Sequence, residues 1–308
     1  MRFTTLALAC ALSAPGAFAS SPCVPDAAAS PPIVCTYVGY TVGTDVTQHG
    51  RIDLDTAAIA THANAAEWTE ALAVYTDGQN SAKSSSLRNL KAFSNNDDKL
   101  NIISHHSLAK AEYGSAAWAD EYVLPLFAAG TTPTTLATAI NFLVTVPYVF
   151  YEMVDAVADC DAGTADDNDN AVHAWDEAVA FYVGSTGAVD HASTSSPYGM
   201  IASLGAAGNA LNEDIMALLT TGGANIDALE CKTAAEKEAM TVVMESIHGK
   251  ILAAAIRLLK VAQDASDTST AAALTKFILP EIAACNHDKA DTFAVAGEIA
   301  YLKVRREV

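Results

Sequence analysis

The segment Trp68-Thr69-Glu70-Ala71-Leu72-Ala73-Val74-Tyr75 recurs 107 residues later as Trp175-Asp176-Glu177-Ala178-Val179-Ala180-Phe181-Tyr182, with five of eight positions identical. The chain contains only 3 Trp and 10 Tyr, so a match of both residue types around a shared Glu indicates an internal duplication. A self-similar period of this length is typical of tandem supersecondary units. We therefore predict an all-α fold of two tandem, internally repeated helical-bundle units with disulfides.

The composition supports a large folded core and excludes some classes of partner. Hydrophobic residues make up 51% of the 308 residues, which excludes an acidic disordered tail. Abundant alanine favours helix. Acidic residues number 36 against 17 basic ones, for a net charge of −19. This balance argues against binding to nucleic acid or to an anionic membrane, because both require basic patches, and it favours binding of cations.

The N-terminus has the features of a secretory signal peptide over residues 1–19. Arg2 is followed by an apolar run from Leu6 to Leu12, and Ala17-Phe18-Ala19 fits the cleavage rule. We expect a secreted or periplasmic protein in an oxidising compartment, where disulfides persist. Five cysteines remain after cleavage, which permit at most two bridges within the chain and leave the pairing open: Cys23, Cys35, Cys160, Cys231 and Cys285.

Four further segments follow the predicted leader in the order of the chain. Residues 20–50 are predicted to be an N-terminal extended segment with one strand at Tyr37–Val46, and residues 51–158 the first helical unit. The acidic, non-periodic residues 159–170 are predicted to be a linker, and residues 171–308 the second unit. No membrane span is predicted, because several Thr, Asn141 and Pro147 interrupt the most apolar run, 131–151, which we interpret as a buried helix.

Three short patterns place acidic and imidazole groups on one face of a helix, where residues three or four apart are neighbours. They are Glu67 with Glu70, His173 with Asp176 and Glu177, and Glu245 with His248. Each pattern alone is also typical of a solvated helix face or a hydrogen-bonded histidine. Glu70 and Glu177 gain weight because they occupy the same place in both copies of the repeat.

Buried carboxylates and two weaker alignments complete the candidate set. Glu152 lies with Asp155 on an apolar helix, and a buried carboxylate is costly unless it is paired or bound to metal. If the weaker alignments hold, His106 corresponds to His248 and Glu152 to Glu298. Oxygen-rich sites with a few imidazoles suit hard Fe³⁺. The candidate metal ligands are Glu70, Glu177, His173, His248, Glu245, Glu152, Glu298, Glu67, Asp176 and His106.

The sequence contains no template for catalysis. We find no G-x-S-x-G, H-E-x-x-H, P-loop or C-x-x-C pattern, so we predict no catalytic residue and a binding protein that is not an enzyme. Two alternatives remain open at this point. One is a metal-dependent extracellular oxidase of the di-iron type, and the other is a cell-surface interaction protein without metal.

The segment from His173 to Tyr182, followed by Gly184-Ser185 and Ser196-Pro197-Tyr198, resembles the algal iron-assimilation family, also described as high-CO2-inducible periplasmic proteins. A more distant similarity, through His173 and Asp176, links the chain to imelysin-type periplasmic proteins. The first resemblance implies a protein made under iron limitation that binds iron, as Fe³⁺ or Fe²⁺, outside the cell and promotes its uptake. It implies a cell-surface iron transporter or reductase as a partner. Glu67 and Glu70 match the E-x-x-E pattern associated with iron handling in that family.

Overall fold

Helices form nearly all of the regular structure in the computed structural model, which describes residues 24–25, 33–34, 36–163, 171–187 and 193–285. The helices are α1 (Thr47–Gly50), α2 (Ile52–Asn64), α3 (Trp68–Asp77), α4 (Leu90–Ser94), α5 (Asp97–Leu100), α6 (Ser104–Tyr113), α7 (Trp118–Ala129), α8 (Pro133–Ala139), α9 (Val146–Ala162), α10 (Ala171–Gly187, kinked at Gly184), α11 (Pro197–Ala202), α12 (Ala206–Asp227), α13 (Ala234–Asp264) and α14 (Thr268–Cys285). Three antiparallel pairs of short strands accompany them: β1 (Val24–Pro25) with β2 (Ile33–Val34), β3 (Thr36–Tyr37) with β4 (Tyr40–Thr41), and β5 (Ala82–Lys83) with β6 (Ser86–Leu87). The mainly helical content confirms the predicted class.

The packing of α10 and α14 shows how the two predicted units relate to each other. α10 packs against α1, α2 and α9, and α14 packs against α6 and α8. One cluster of buried apolar side chains therefore extends from Tyr37 to Ile278. Two separate tandem bundles are not confirmed, because helices of the second predicted unit bury their apolar faces among helices of the first.

The two copies of the repeated segment have different positions in their helices. Trp68 is the first residue of α3, whereas Trp175 lies one turn inside α10. The tyrosines of both copies are fully buried, and Tyr75 donates a hydrogen bond to Asp120 while Tyr182 donates one to Asn212. The two copies thus share a buried, hydrogen-bonded tyrosine, whereas their tryptophans lie at different positions in the helices.

An apolar helical rod runs from Pro133 to Ala162 and includes a π-helical turn at Ile140–Thr145 between α8 and α9. The N–H of Val146 bonds to the carbonyl of Asn141, five residues back, immediately before Pro147, which has no N–H to donate. The rod is long and apolar enough to cross a membrane, but 94% of its most apolar window is buried inside the protein. It is therefore a core helix, as predicted for residues 131–151.

One disulfide joins the end of α9 to the segment between α12 and α13. It links Cys160 to Cys231, with their Cα atoms 5.9 Å apart. The predicted acidic linker, 159–170, begins within the last turn of α9, which continues to Ala162 because the apolar face there remains packed. The rest of that linker, the leader, Cys23 and Cys35 lie outside the described residues.

The predicted strand at Tyr37–Val46 forms only a short hairpin, β3 with β4. Beyond Thr41 the backbone leaves the hairpin and turns toward α10, where Gly43 and Thr44 donate hydrogen bonds to the side chain of Asp176. The chain then enters α1. This docked turn brings α1 against α10.

Candidate metal centre

Side chains from α1, α9 and α10 meet at one end of a cavity of about 430 Å³. α10 presents His173 and Glu177 one turn apart, with 2.9 Å between His173 Nε2 and Glu177 Oε1. α1 presents His49, whose Nε2 lies 2.7 Å from the same oxygen. The three ligand atoms all lie within 4.8 Å of one another, which is close enough for a single metal ion. Glu152 of α9 completes the group by a hydrogen bond with Glu177.

The two carboxyl groups share one buried region and cannot both carry an uncompensated negative charge. Burial and the neighbouring Glu177 charge raise the pKa of Glu152 well above its usual range. Burial also acts to raise the pKa of Glu177, but hydrogen bonds from His173 and His49 outweigh it and the pKa is lowered. Without a metal ion the pair is therefore a protonated Glu152 beside an ionised Glu177. A cation would take the place of that proton.

A chain of hydrogen bonds sets the tautomer of His173. The hydroxyl of Thr44 donates to Asp176 Oδ2 at 2.9 Å, so its oxygen accepts from Nδ1 of His173, also at 2.9 Å. The other ring nitrogen, Nε2, then faces the Glu177 carboxylate and is the atom of His173 that can hold a proton or a metal ion. Two acceptors that face each other at 2.9 Å require a cation between them, either a proton or a metal ion.

The remaining neighbours of this centre give it a mixed electrostatic character. His49 is 6% exposed, burial lowers its pKa, and its Nδ1 is buried without a hydrogen-bond partner among the described residues. The guanidinium of Arg88 contacts Nε2 of His49. The cavity wall contains more acidic than basic side chains, which favours cations: Asp45, Glu152, Asp155, Asp159 and Glu177 against Lys83, Arg88 and Lys99. Two imidazoles with two carboxylates form a nitrogen and oxygen ligand set that suits iron.

The comparisons with known proteins identify the family. The family model for low iron-inducible periplasmic proteins matches residues 12–274, which include the repeat and all four residues of this centre. The chain belongs to the low iron-inducible periplasmic protein family. This confirms the resemblance seen in the sequence and places the protein in the periplasm, in agreement with the leader predicted over residues 1–19. No curated protein and no solved structure matches the chain.

Asp176, a predicted ligand in this low iron-inducible periplasmic protein, has a positioning role instead. It is fully buried, and its Oδ2 accepts hydrogen bonds from the backbone N–H groups of Gly43 and Thr44, each at 2.8 Å, and from the Thr44 hydroxyl. Its Oδ1 accepts from Tyr40 at 2.8 Å. Burial raises its pKa to about 6 although these bonds oppose the shift. With both carboxylate oxygens hydrogen-bonded, Asp176 fixes the turn that leads to His49 and belongs to neither group of possible ligands.

The E-x-x-E pair, Glu67 and Glu70, lies at the start of α3 and does not belong to this centre. Glu70 is exposed in the first turn of α3, and Glu67, 52% exposed at its side chain, bonds to Nδ1 of His62 at 2.7 Å. Both carboxylates lie in solvent because α3 begins only at Trp68, so that Glu67 precedes the helix and Glu70 lies in its exposed first turn. The equivalent position in the second copy, Glu177, lies well inside α10 and faces the cavity.

A second group of possible ligands combines α6, α13 and α14. His105 Nδ1 lies 2.7 Å from Glu281 Oε1, and His248 Nε2 lies 3.4 Å from the same oxygen. Burial raises the pKa of Glu281, but the hydrogen bond from His105 and the two nearby imidazoles lower it overall. Burial lowers the pKa of His248. The structure thus places the predicted His248 in a ligand group, but with His105 and Glu281 rather than with Glu245.

Two further predicted ligands, His106 and Glu245, belong to neither group. Both ring nitrogens of His106 are engaged, Nε2 with Asp97 at 3.0 Å and Nδ1 as the acceptor of the Trp118 indole N–H at 3.2 Å. Glu245 is exposed beside the cavity that His248 lines. Glu298 lies outside the described residues.

Sequence reasoning missed His49 and Glu281 as members of these groups. His49 follows a segment without helical periodicity, so the acids four residues away on either side, Asp45 and Asp53, did not mark it as a ligand. Glu281 follows Pro280 in α14, and no His or acidic residue lies three or four residues away from it in either direction. The only available signal was their chemical type, since both meet their partners through tertiary packing.

Proposed function

We propose that this low iron-inducible periplasmic protein binds an iron ion through His49, Glu152, His173 and Glu177, and that this binding serves iron assimilation. The observation that carries the proposal is the convergence of two imidazole nitrogens, Nε2 of His49 and Nε2 of His173, on the same carboxylate oxygen of Glu177, at 2.7 and 2.9 Å. Together with the Glu152 carboxyl, this arrangement provides a preorganised position for a cation inside the protein.

The charge of the four groups suits a highly charged ion. Two carboxylates would offset two positive charges of Fe³⁺ or both charges of Fe²⁺, while neutral imidazoles add nitrogen ligands. Arg88 compensates part of this negative charge in the ion-free protein and would withdraw from His49 when the ion enters. The family's induction by low iron supports iron over other cations that accept the same ligands.

We propose binding and transfer rather than catalytic turnover. Glu152 and Asp155 of α9 line the first cavity, whereas Phe150 and Val154 of the same helix line the cavity beside His248. α9 therefore separates the two ligand groups, and a helix with its side chains is about 10 Å across. The ions of a dinuclear centre lie about 4 Å apart, so the two groups would act as separate mononuclear sites. Iron released from the first would pass to a cell-surface transporter or reductase.

Equilibrium dialysis of metal-free protein against Fe³⁺ citrate at about 0.15 M salt tests the proposal, because salt suppresses loose binding to the acidic surface. The parent protein should hold a tightly bound ion that Glu152→Gln with Glu177→Gln loses. The matched control, Glu67→Gln with Glu70→Gln, removes the same charge from exposed positions and should keep the ion. Equal binding by all three proteins would refute the proposed centre. Oxygen consumption with Fe²⁺ would instead indicate an oxidase.

A further inference from the structure

We propose that His105, His248 and Glu281 form a second metal site, selective for a divalent first-row transition-metal ion such as Zn²⁺. This site lies on α6, α13 and α14 and shares no ligand with the iron centre proposed above. It goes beyond the iron-binding function, since it concerns another class of ion at residues that the first centre does not use.

The spacing of His248 and Glu281 fits a shared metal ion better than a hydrogen bond. His248 Nε2 lies 3.4 Å from Glu281 Oε1 and has no hydrogen-bond partner among the described residues. Ligand atoms about 2.1 Å from a tetrahedral Zn²⁺ are separated from each other by about 3.4 Å. His105 Nδ1, now 2.7 Å from the same oxygen, would move outward by about 0.7 Å to reach that geometry.

The surroundings hold the site in a partly enclosed, apolar pocket. His105 is 2% exposed and packs against Phe277, with the ring centroids 4.6 Å apart. The ring of Phe150 packs edge-on against His248 at 5.1 Å. In the part of the chain that the structure describes, the ion-pair partners of Glu281 are these two imidazoles, without a lysine or arginine. A divalent ion is therefore the natural counter-charge for this carboxylate.

Charge and ligand type separate this site from the iron centre. Two neutral imidazoles and one carboxylate provide a single negative charge, whereas the first centre provides two. Imidazole-rich sets suit Zn²⁺ and other borderline divalent ions, and hard trivalent ions prefer more oxygen. We therefore expect the second site to prefer divalent ions.

Three protein ligands leave one coordination position open. The adjoining cavity, about 290 Å³, is lined by His105 and His248 together with Ile103, Phe150, Val154 and Met244. A metal site with two His, one Glu and an open position normally completes its shell with water. The polar residues of the remaining wall are Ser104, Thr241 and the exposed Glu245, and none of them belongs to the ligand group, so the fourth ligand would be water or a small molecule.

The test uses protein whose first centre is disabled by Glu152→Gln with Glu177→Gln, so its result does not depend on the iron proposal. Zn²⁺ binding is measured by equilibrium dialysis at about 0.15 M salt. We expect one tightly bound ion, an affinity reduced at least about 100-fold by either Glu281→Gln or His248→Gln, and little effect of Glu245→Gln, which alters an exposed side chain beside the same cavity. Circular dichroism verifies the fold of each variant.

The two ligand variants lie on different helices, so each tests the site independently. His248 is 20% exposed at its side chain, and its replacement by Gln disturbs packing less than removal of the enclosed His105. Absence of Zn²⁺ binding in the protein with the disabled first centre would overturn the proposal. Unchanged affinity in both Glu281→Gln and His248→Gln would overturn it as well.

Discussion

At the scale of single residues, the neighbours Asp176 and Glu177 divide two tasks between them. Asp176 accepts four hydrogen bonds that dock the turn at Gly43 and Thr44 on α10. Glu177 faces the cavity and contacts His49 and His173. The two carboxylates are adjacent in sequence, but consecutive residues of a helix point in different directions. Only one of them is therefore available to an ion.

The role of Asp176 leads to a prediction that separates positioning from ligation. Asp176→Ala leaves the buried Tyr40 hydroxyl and the partly buried N–H groups of Gly43 and Thr44 without their acceptor, and should lower the free energy of unfolding by about 3 kcal/mol. It should also weaken iron binding roughly 10- to 100-fold, because Thr44 then no longer orients His173. Asp176→Asn keeps a side-chain oxygen and should restore most of both properties. Urea unfolding and Fe³⁺ dialysis measure the two effects. An Asn variant that loses iron as completely as the Ala variant would instead identify Asp176 as a ligand.

At the scale of elements, α9 forms the wall between the two cavities, and a disulfide links its C-terminal end to the segment before α13. Glu152 and Phe150 lie on opposite sides of this wall. Cys160 in the last turn of α9 and its partner Cys231 are both fully buried. The bridge closes a loop with a sequence separation of 71 residues. It restricts the unfolded chain, and it holds the C-terminal end of α9 next to the segment that precedes α13.

Removal of this disulfide should destabilise the protein. We expect Cys160→Ala with Cys231→Ala to lower the free energy of unfolding by about 2 to 4 kcal/mol, measured by urea unfolding under oxidising conditions. Dithiothreitol should destabilise the parent protein by more than it destabilises the double variant, which lacks this bridge. Identical unfolding curves for the oxidised parent and the variant would show that the bridge contributes nothing to stability.

At the scale of the whole molecule, features encoded locally could be predicted, and features created by packing could not. The apolar run before Glu152 indicates a buried helix by itself, and the spacing of His173 and Glu177 places them on one helix face. His49 and Glu281 reach their partners through tertiary docking, which leaves no local pattern. Glu70 lies in solvent and its counterpart Glu177 faces the cavity, because the same local sequence begins a helix in one copy and lies within a helix in the other.

Tyrosine burial is a property of the whole molecule that controls its behaviour in alkali. Among the residues that the structure describes, eight tyrosines have a pKa raised above the ordinary value of 10.0, in each case chiefly by burial. They are Tyr37, Tyr40, Tyr75, Tyr113, Tyr148, Tyr151, Tyr182 and Tyr198. Because the folded pKa lies above the unfolded one, each phenol's contribution to stability is complete below about pH 10 and is lost as pH rises through the folded pKa.

We therefore expect the folded protein to resist phenol ionisation and then to unfold as it ionises. Above about pH 10 each deeply buried tyrosine should reduce the free energy of unfolding by up to about 1.4 kcal/mol per pH unit, because only the unfolded chain releases the proton readily. Tyr113 is only partly buried and should contribute less. Phenolate absorbance and helical circular dichroism, followed in one alkaline titration, should change together and cooperatively. The same protein in denaturant is the control and should ionise near the ordinary pKa. Phenolate absorbance that rises smoothly near pH 10, while the helical signal stays intact, would show that these hydroxyl groups are accessible in the folded state.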